Sequence, residues 1–130
     1  MFILKTAQIQ HFIAADENEL VDVVGKSIRL ANGARVTGYD DEELASMVKI
    51  GIARARSHGL TKAEVIAAFV AVMFEVAPRF DEQGEISEVL NDERLSPEVR
   101  FFQIFDRVQD AAWIEASKKY DDSFWFSAKV

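Results

Sequence analysis

The chain contains no cysteine, only two prolines and two histidines, and six glycines in 130 residues. The first absence excludes a disulfide framework and any thiolate metal site, and makes a reducing, cytoplasmic compartment the simplest expectation. The scarcity of proline and glycine leaves room for long regular elements. Long apolar runs are missing too. The longest uncharged, mostly apolar run, Val65 to Phe74, has ten residues. As a helix it would reach about 15 Å, half the ~30 Å hydrocarbon core of a bilayer, so no membrane span is expected. The opening MFILKTAQIQHF has no basic leader before a sustained apolar stretch and no small-residue cleavage site, so no secretion signal is expected either. Positive charge is in short supply. The formal charge is −7; residues 1–60 carry 7 Lys and Arg against 8 Asp and Glu, and residues 61–130 carry 8 against 14. An acidic second half repels phosphate backbones, which argues against a nucleic-acid partner.

What is present reads as helix. About half the residues are apolar and a quarter charged, the balance of a globular domain of common size. Thr6 is placed to cap a first segment with Ile9, Phe12 and Ile13 on one face. Leu20, Val21, Val23, Val24, Ile28 and Leu30 continue an apolar pattern through residues 16–31, Asn32-Gly33 reads as its stop, and GARVTG reads as a loop. Asp40 stands three residues before Glu43, a capping box for a helix with Leu44, Val48, Gly51, Ile52 and Ala55 inward and Gly59 at its end. Thr61 and Glu64 repeat the box at the start of AEVIAAFVAVMFEV. That segment is apolar on every side, which predicts a helix surrounded by others until Pro78 stops it. RFDEQG reads as a turn and EISEVLND as one or two helical turns. Ser96-Pro97-Glu98 combines an N-cap, a first-turn proline and an early acid. The helix it opens is predicted to run to about Lys119 and to bury Val99, Phe101, Ile104, Phe105, Val108 and Ala112.

Alternating β patterns are essentially absent, and no repeat of twenty to fifty residues occurs. The sequence therefore predicts an all-α single domain: a bundle of about five helices around a central apolar helix at about 61–76. The bundle should occupy residues 1–120, with an aromatic tail over 121–130.

Reactive chemistry is hard to find. His11 and His58 fall on different elements, neither in a zinc-binding spacing, and are expected to be surface or cap residues. Ser57 and His58 are adjacent, so on a helix they diverge and form no nucleophile–base pair. DEQGE at 81–85 lacks the alternating acids of a calcium loop. The acids of 40–43 and 121–122 read as solvated helix starts or tail residues. Lys49, Arg54 and Arg56 form a modest basic patch, solvated by default or docking an acidic partner. No catalytic, cofactor or metal residues are predicted.

The ending DDSFWFSAKV poses a different problem. Each large aromatic covers roughly 150–250 Å², so Phe124, Trp125 and Phe126 together approach the largest apolar patch of an ordinary monomer, about 300–600 Å². Either they fold back onto the bundle's open end or they anchor another protein. We carry the triplet as the candidate partner-binding site.

The stretch from Gly38 to Pro97 resembles a family of small proteins from Gram-negative bacteria. Their genes commonly lie beside those for type VI secretion spike proteins, effector-loading chaperones and toxic effectors. The likeness rests on the GIxRAR-x-x-GL pattern from Gly51 to Leu60, the apolar helix ending at Met73, Phe80-Asp81, and the spacing of Ile86, Leu90 and Asp92. The apolar start followed by Gln and Phe in MFILKTAQIQHF also fits. The chain departs where LANGARVTG replaces an aromatic–proline pair, and in the added tail. The resemblance implies a cytoplasmic, non-enzymatic accessory protein of the co-chaperone or adaptor kind, whose partner is an effector-loading chaperone, an effector or a spike component. An immunity protein neutralising a cognate effector toxin is the alternative, suited by the acidic charge. The sequence leaves the oligomeric state open.

Overall fold

A computed structural model describes residues 17–127, so the predicted first segment, with Thr6 and His11, lies outside the described residues. The fold is all-α. Helix α1 spans Glu17–Ala31, α2 Gly33–Val36, α3 Asp41–Ser57, α4 Ala63–Glu75, α5 Gly84–Leu90, α6 Pro97–Arg107, α7 Asp110–Ser117 and α8 Ser123–Ser127. A 3-10 turn occupies Phe80–Glu82, and no strand occurs among the described residues. Eight helices stand among the described residues where about five were expected, because several are short.

Helix α4 is the centre. All ten residues from Val65 to Phe74 are buried, as a helix without a polar face requires. Helix α3 packs along it, α1 covers both, and α5 pairs with α6 and the 3-10 turn. Close approach of α3 to α4 depends on Gly51: a Cβ there would lie 3.0 and 3.1 Å from the two Val70 methyls.

Local signals set most of the boundaries. The Asp40 box forms in full, with the Glu43 N–H donating to Asp40 Oδ1 at 2.8 Å and the Asp40 N–H donating to Glu43 Oε1 at 3.0 Å. Gly59 adopts φ +85°, the left-handed stop expected of it. Its missing side chain also makes room for α6, since a Cβ would meet Pro97 Cγ at 2.9 Å. Ser96 caps α6 as expected.

Other expectations need correction. Thr61 does not cap α4: Lys62 holds the N-cap position without a side-chain bond. The Thr61 N–H and hydroxyl instead face Glu98 Oε2 at 3.3 and 3.5 Å, joining the start of α4 to the start of α6. GARVTG is partly helical, because Val36 is drawn fully into the core. Leu30, predicted within the apolar stripe, is 74% exposed.

The single helix predicted from Ser96 to Lys119 is two. Val108 and Gln109 are extended, with ψ of 132° and 156°. The break turns Val108 into the core, and the freed Gln109 N–H donates to Glu85 Oε2 at 2.9 Å. Neither residue is a helix breaker by type, so sequence alone carries no warning. Val99, expected inside, is 43% exposed.

The two roles of Gly59 predict that Gly59→Ala destabilises the fold by about 1–3 kcal/mol, from left-handed strain plus the Pro97 clash. Gly33→Ala, with no atom within 4 Å of its new methyl, should change stability by less than about 1 kcal/mol. Urea denaturation of the two variants checks the contrast.

Candidate functional site

Three arrangements are candidates: a buried ion cluster, the aromatic tail, and an apolar face on α6 and α7.

The ion cluster forms because two structural anchors bring distant residues together. Arg54 lies in the last turn of α3 and His58 caps that helix. Phe80 is fully buried with its ring 5.0 Å from Phe69, which fixes the next residue, Asp81, against α3. Asp81 is itself buried. Arg54 Nε donates to both of its oxygens at 3.2 and 3.0 Å, and Nη2 reaches Oδ1 at 2.7 Å. His58 Nε2 is 2.7 Å from Oδ2. The same Arg54 Nη2 holds Glu82 at 2.8 Å.

Burial pushes the Asp81 carboxyl up, but hydrogen bonds from His58 and Arg54 outweigh it and hold the group below its ordinary value. Burial likewise disfavours the Arg54 cation, and its bonds to Asp81 and Glu82 more than compensate. With Asp81 occupied on both oxygens, this arrangement works as a clamp between α3 and the 3-10 turn.

The clamp was not legible in the sequence, since its members are 27 and 23 residues apart. It also dissolves the expected basic patch. Arg54 turns inward, and Arg56 pairs with Glu17 through contacts of 2.7 and 2.9 Å. Ser57 Oγ donates to the Arg54 carbonyl, away from any base. No group of three or more His, Asp or Glu could hold a metal ion among the described residues.

The tail folds back. The Trp125 ring is fully buried and stacks on Phe74 at 4.5 Å with planes 16° apart. Phe124 is buried beneath two guanidinium groups, those of Arg54 and Arg79, at 5.3 and 5.5 Å from its ring centre. Phe126 keeps a 38% exposed edge and sits 5.7 Å from the Tyr39 ring. Asp121 Oδ1 fixes the turn into α8 by accepting from the Ser123 N–H and hydroxyl at 2.9 and 2.7 Å. Two of the three residues carried as a partner anchor therefore belong to the chain's own core. A protruding hydrophobic tail is the wrong picture, because the end of α4 offers Phe74 as a closer apolar surface.

Exposed apolar area lies elsewhere. Val99, Phe102 and Ile114 are 43, 52 and 55% exposed. Between them Phe105 and Trp113 stack face to face at 5.6 Å and 9°, both half-buried. Phe105, Trp113 and Ile114 wall an open cleft of about 330 Å³ with Val72 of α4 and Val76 just past its end. Glu75 and Ser117 stand at its edge. A signal for this face was available: Val99, Phe101, Phe102, Ile104 and Phe105 are too many apolar residues for one inward stripe of α6.

No known protein family, curated protein or solved structure matches the chain at a meaningful level.

Two predictions follow from the buried arrangements. Trp125→Ala should cost about 3–5 kcal/mol, as for other large core aromatics, whereas Phe126→Ala should cost under about 1 kcal/mol. Equal and small losses in thermal melts would contradict the docked tail. Asp81→Ala should cost about 2–4 kcal/mol by removing the partner of His58 and leaving the half-buried Arg54 only the exposed Glu82. The lowered Asp81 value also sets the pH sign. Its contribution is fully present above about pH 4, the unfolded carboxylate range, and is lost as pH falls through the lower folded value. The stability difference between wild type and Asp81→Asn should accordingly shrink on acidification below pH 4.

Proposed function

We propose that this chain is a non-enzymatic protein-binding accessory factor, of the kind that acts beside an effector-loading chaperone in type VI secretion. The observation that carries the binding part is the α6–α7 face. Three large apolar side chains are open to solvent there, around a stacked aromatic pair, while the other aromatic material of the bundle is mostly inside. Interface centres favour large aromatics of this kind over scattered aliphatics.

The secretion part rests on the resemblance of residues 38–97. The positions that carry it have structural work in this fold: Gly51 against Val70, Arg54 on Asp81, and Ile86 and Leu90 in the core. Asp92 joins them by accepting from Arg94 and Arg107 at 2.8 and 3.2 Å. Because the resemblance lies in positions that hold the scaffold together, it supports recognition rather than chemistry as the task. No described helix is long and apolar enough to cross a membrane, and a cytoplasmic site of action is part of the proposal.

A second reading, immunity protein, is favoured by the charge of −7, most of it in residues 61–130. Attraction to a basic toxin would speed capture.

Co-expression with the products of neighbouring reading frames separates these readings. The accessory reading expects a stable complex with a chaperone or chaperone–effector pair on size-exclusion chromatography, and no rescue of growth from the effector alone. Rescue of growth by this chain alone would replace it with the immunity reading. Absence of any complex together with absence of rescue would remove both.

A further inference from the structure

We propose that the α6–α7 face takes a basic amphipathic helix of its protein partner, whose apolar residues enter the Phe105–Trp113 cleft and whose cations meet the acids at its edge. This deepens the protein-binding reading above and rests on it.

The apolar half of the argument is spacing. Val99, Phe102 and Phe105 follow one another at i, i+3, i+6 along α6, and the Phe105 ring continues through Trp113 to Ile114 on α7. The result is a continuous apolar track across two helices, matched to the i, i+3, i+4, i+7 anchors with which a helix lies in a groove.

The polar half is the direction in which this layer turns its charges. Its two cations face the 92–95 loop: Arg100 Nε donates to the carbonyls of Asp92 and Leu95 at 2.7 and 2.9 Å, and Arg107 bonds the Asp92 carboxylate at 3.2 Å. Asp106, beside Phe105, and Asp110, one turn before Trp113 and Ile114, are exposed and have no hydrogen-bond or ion-pair partner among the described residues. Glu75 at the cleft edge is likewise unpaired among them. Helix α7, Asp110–Ser117, carries no lysine or arginine itself, and Lys118 and Lys119 follow its end. An apolar track edged by three uncommitted carboxylates selects cations on its ligand, because unlike rim charges speed association and like charges suppress it.

The test uses the full chain and two synthetic helical peptides that share leucines at i, i+3, i+4 and i+7, one with lysines at the remaining positions and one with glutamates. Isothermal titration should show the lysine peptide binding at least roughly tenfold tighter, with the advantage shrinking as salt rises. Phe102→Ser should weaken binding by about tenfold or more. Its residue is half exposed, and an unchanged thermal melt verifies folding. Asp106→Lys with Asp110→Lys should reverse the peptide preference, while Glu42→Lys with Glu93→Lys, away from the face, should leave it intact.

Equal binding of both peptides, or indifference to Phe102→Ser and to the Asp106/Asp110 reversal, overturns the proposal. So does a dimer of this chain dispersed by Phe102→Ser, which would assign the face to a second copy. A gain of about tenfold in peptide affinity on Phe12→Asp would assign it to the chain's own first sixteen residues, with the same consequence. If the co-expressed complex forms and survives Phe102→Ser, this surface assignment fails while the accessory reading stands. If no complex forms and the peptide preference holds, the reverse is true.

Discussion

Helix α4 can meet water nowhere between Val65 and Phe74. A helix with a polar side can settle against one neighbour, but one that is apolar all round must be enclosed, and its enclosure dictates the architecture. Helices α1 and α3 cover one flank. Phe80 from the 3-10 turn and Phe101 from α6 close on Phe69 at 5.0 and 5.8 Å. Trp125 from α8 lies over Phe74. Each large apolar side chain hidden in this way contributes about 1.5–3 kcal/mol, so the enclosure is also where most of the stability resides.

Hydrophobic burial has no preferred direction, and it would tolerate several ways of wrapping α4. Register is selected by polar ties between segments far apart in sequence. Arg54 and His58 hold Asp81; Glu98 meets Thr61; Glu85 accepts the Gln109 N–H; Arg100 and Arg107 hold the loop at Asp92. Where the tie is partly buried, as at Asp81 and Arg100, it replaces water partners the group would otherwise lose, so a misaligned wrapping leaves polar atoms unmatched. The carboxylate of Asp81 is the most demanding of these, being buried, and it has a donor for each oxygen.

Local chemistry was readable where it is local. The Asp40–Glu43 box, the Gly59 stop and the Ser96-Pro97 start depend on residues within one helical turn, and all three form. Thr61 had the same local pattern and failed, because a carboxylate 37 residues away competed for its hydroxyl. The break at Val108 failed for a related reason: its benefit, placing one valine inside and handing an N–H to Glu85, exists only in the folded molecule. Of the candidate sites, the tail residues were visible as an apolar excess but not their destination. The α6–α7 face was visible only as a surplus of apolar residues that a single stripe could not absorb.

The stretch before α3 and the C-terminal end of the described residues meet in space. Arg35 lies 4.0 Å from the centre of the Tyr120 ring, just before the tail, and the Tyr39 ring lies 5.7 Å from that of Phe126 within it. Residues 35–39 are thus the seat on which the aromatic ending rests. The tail in turn supplies the indole that shields the last turn of α4. A cation over an aromatic face and a tilted ring pair are individually worth about 0.5–1.5 kcal/mol, modest beside the burial of Trp125. They nevertheless fix which way the tail enters, and so which apolar surface it covers. With α8 committed to Phe74, the described residues leave the α6–α7 track without a lid. The aromatic ending that first suggests a binding site is therefore what directs the search for one to another face of the bundle.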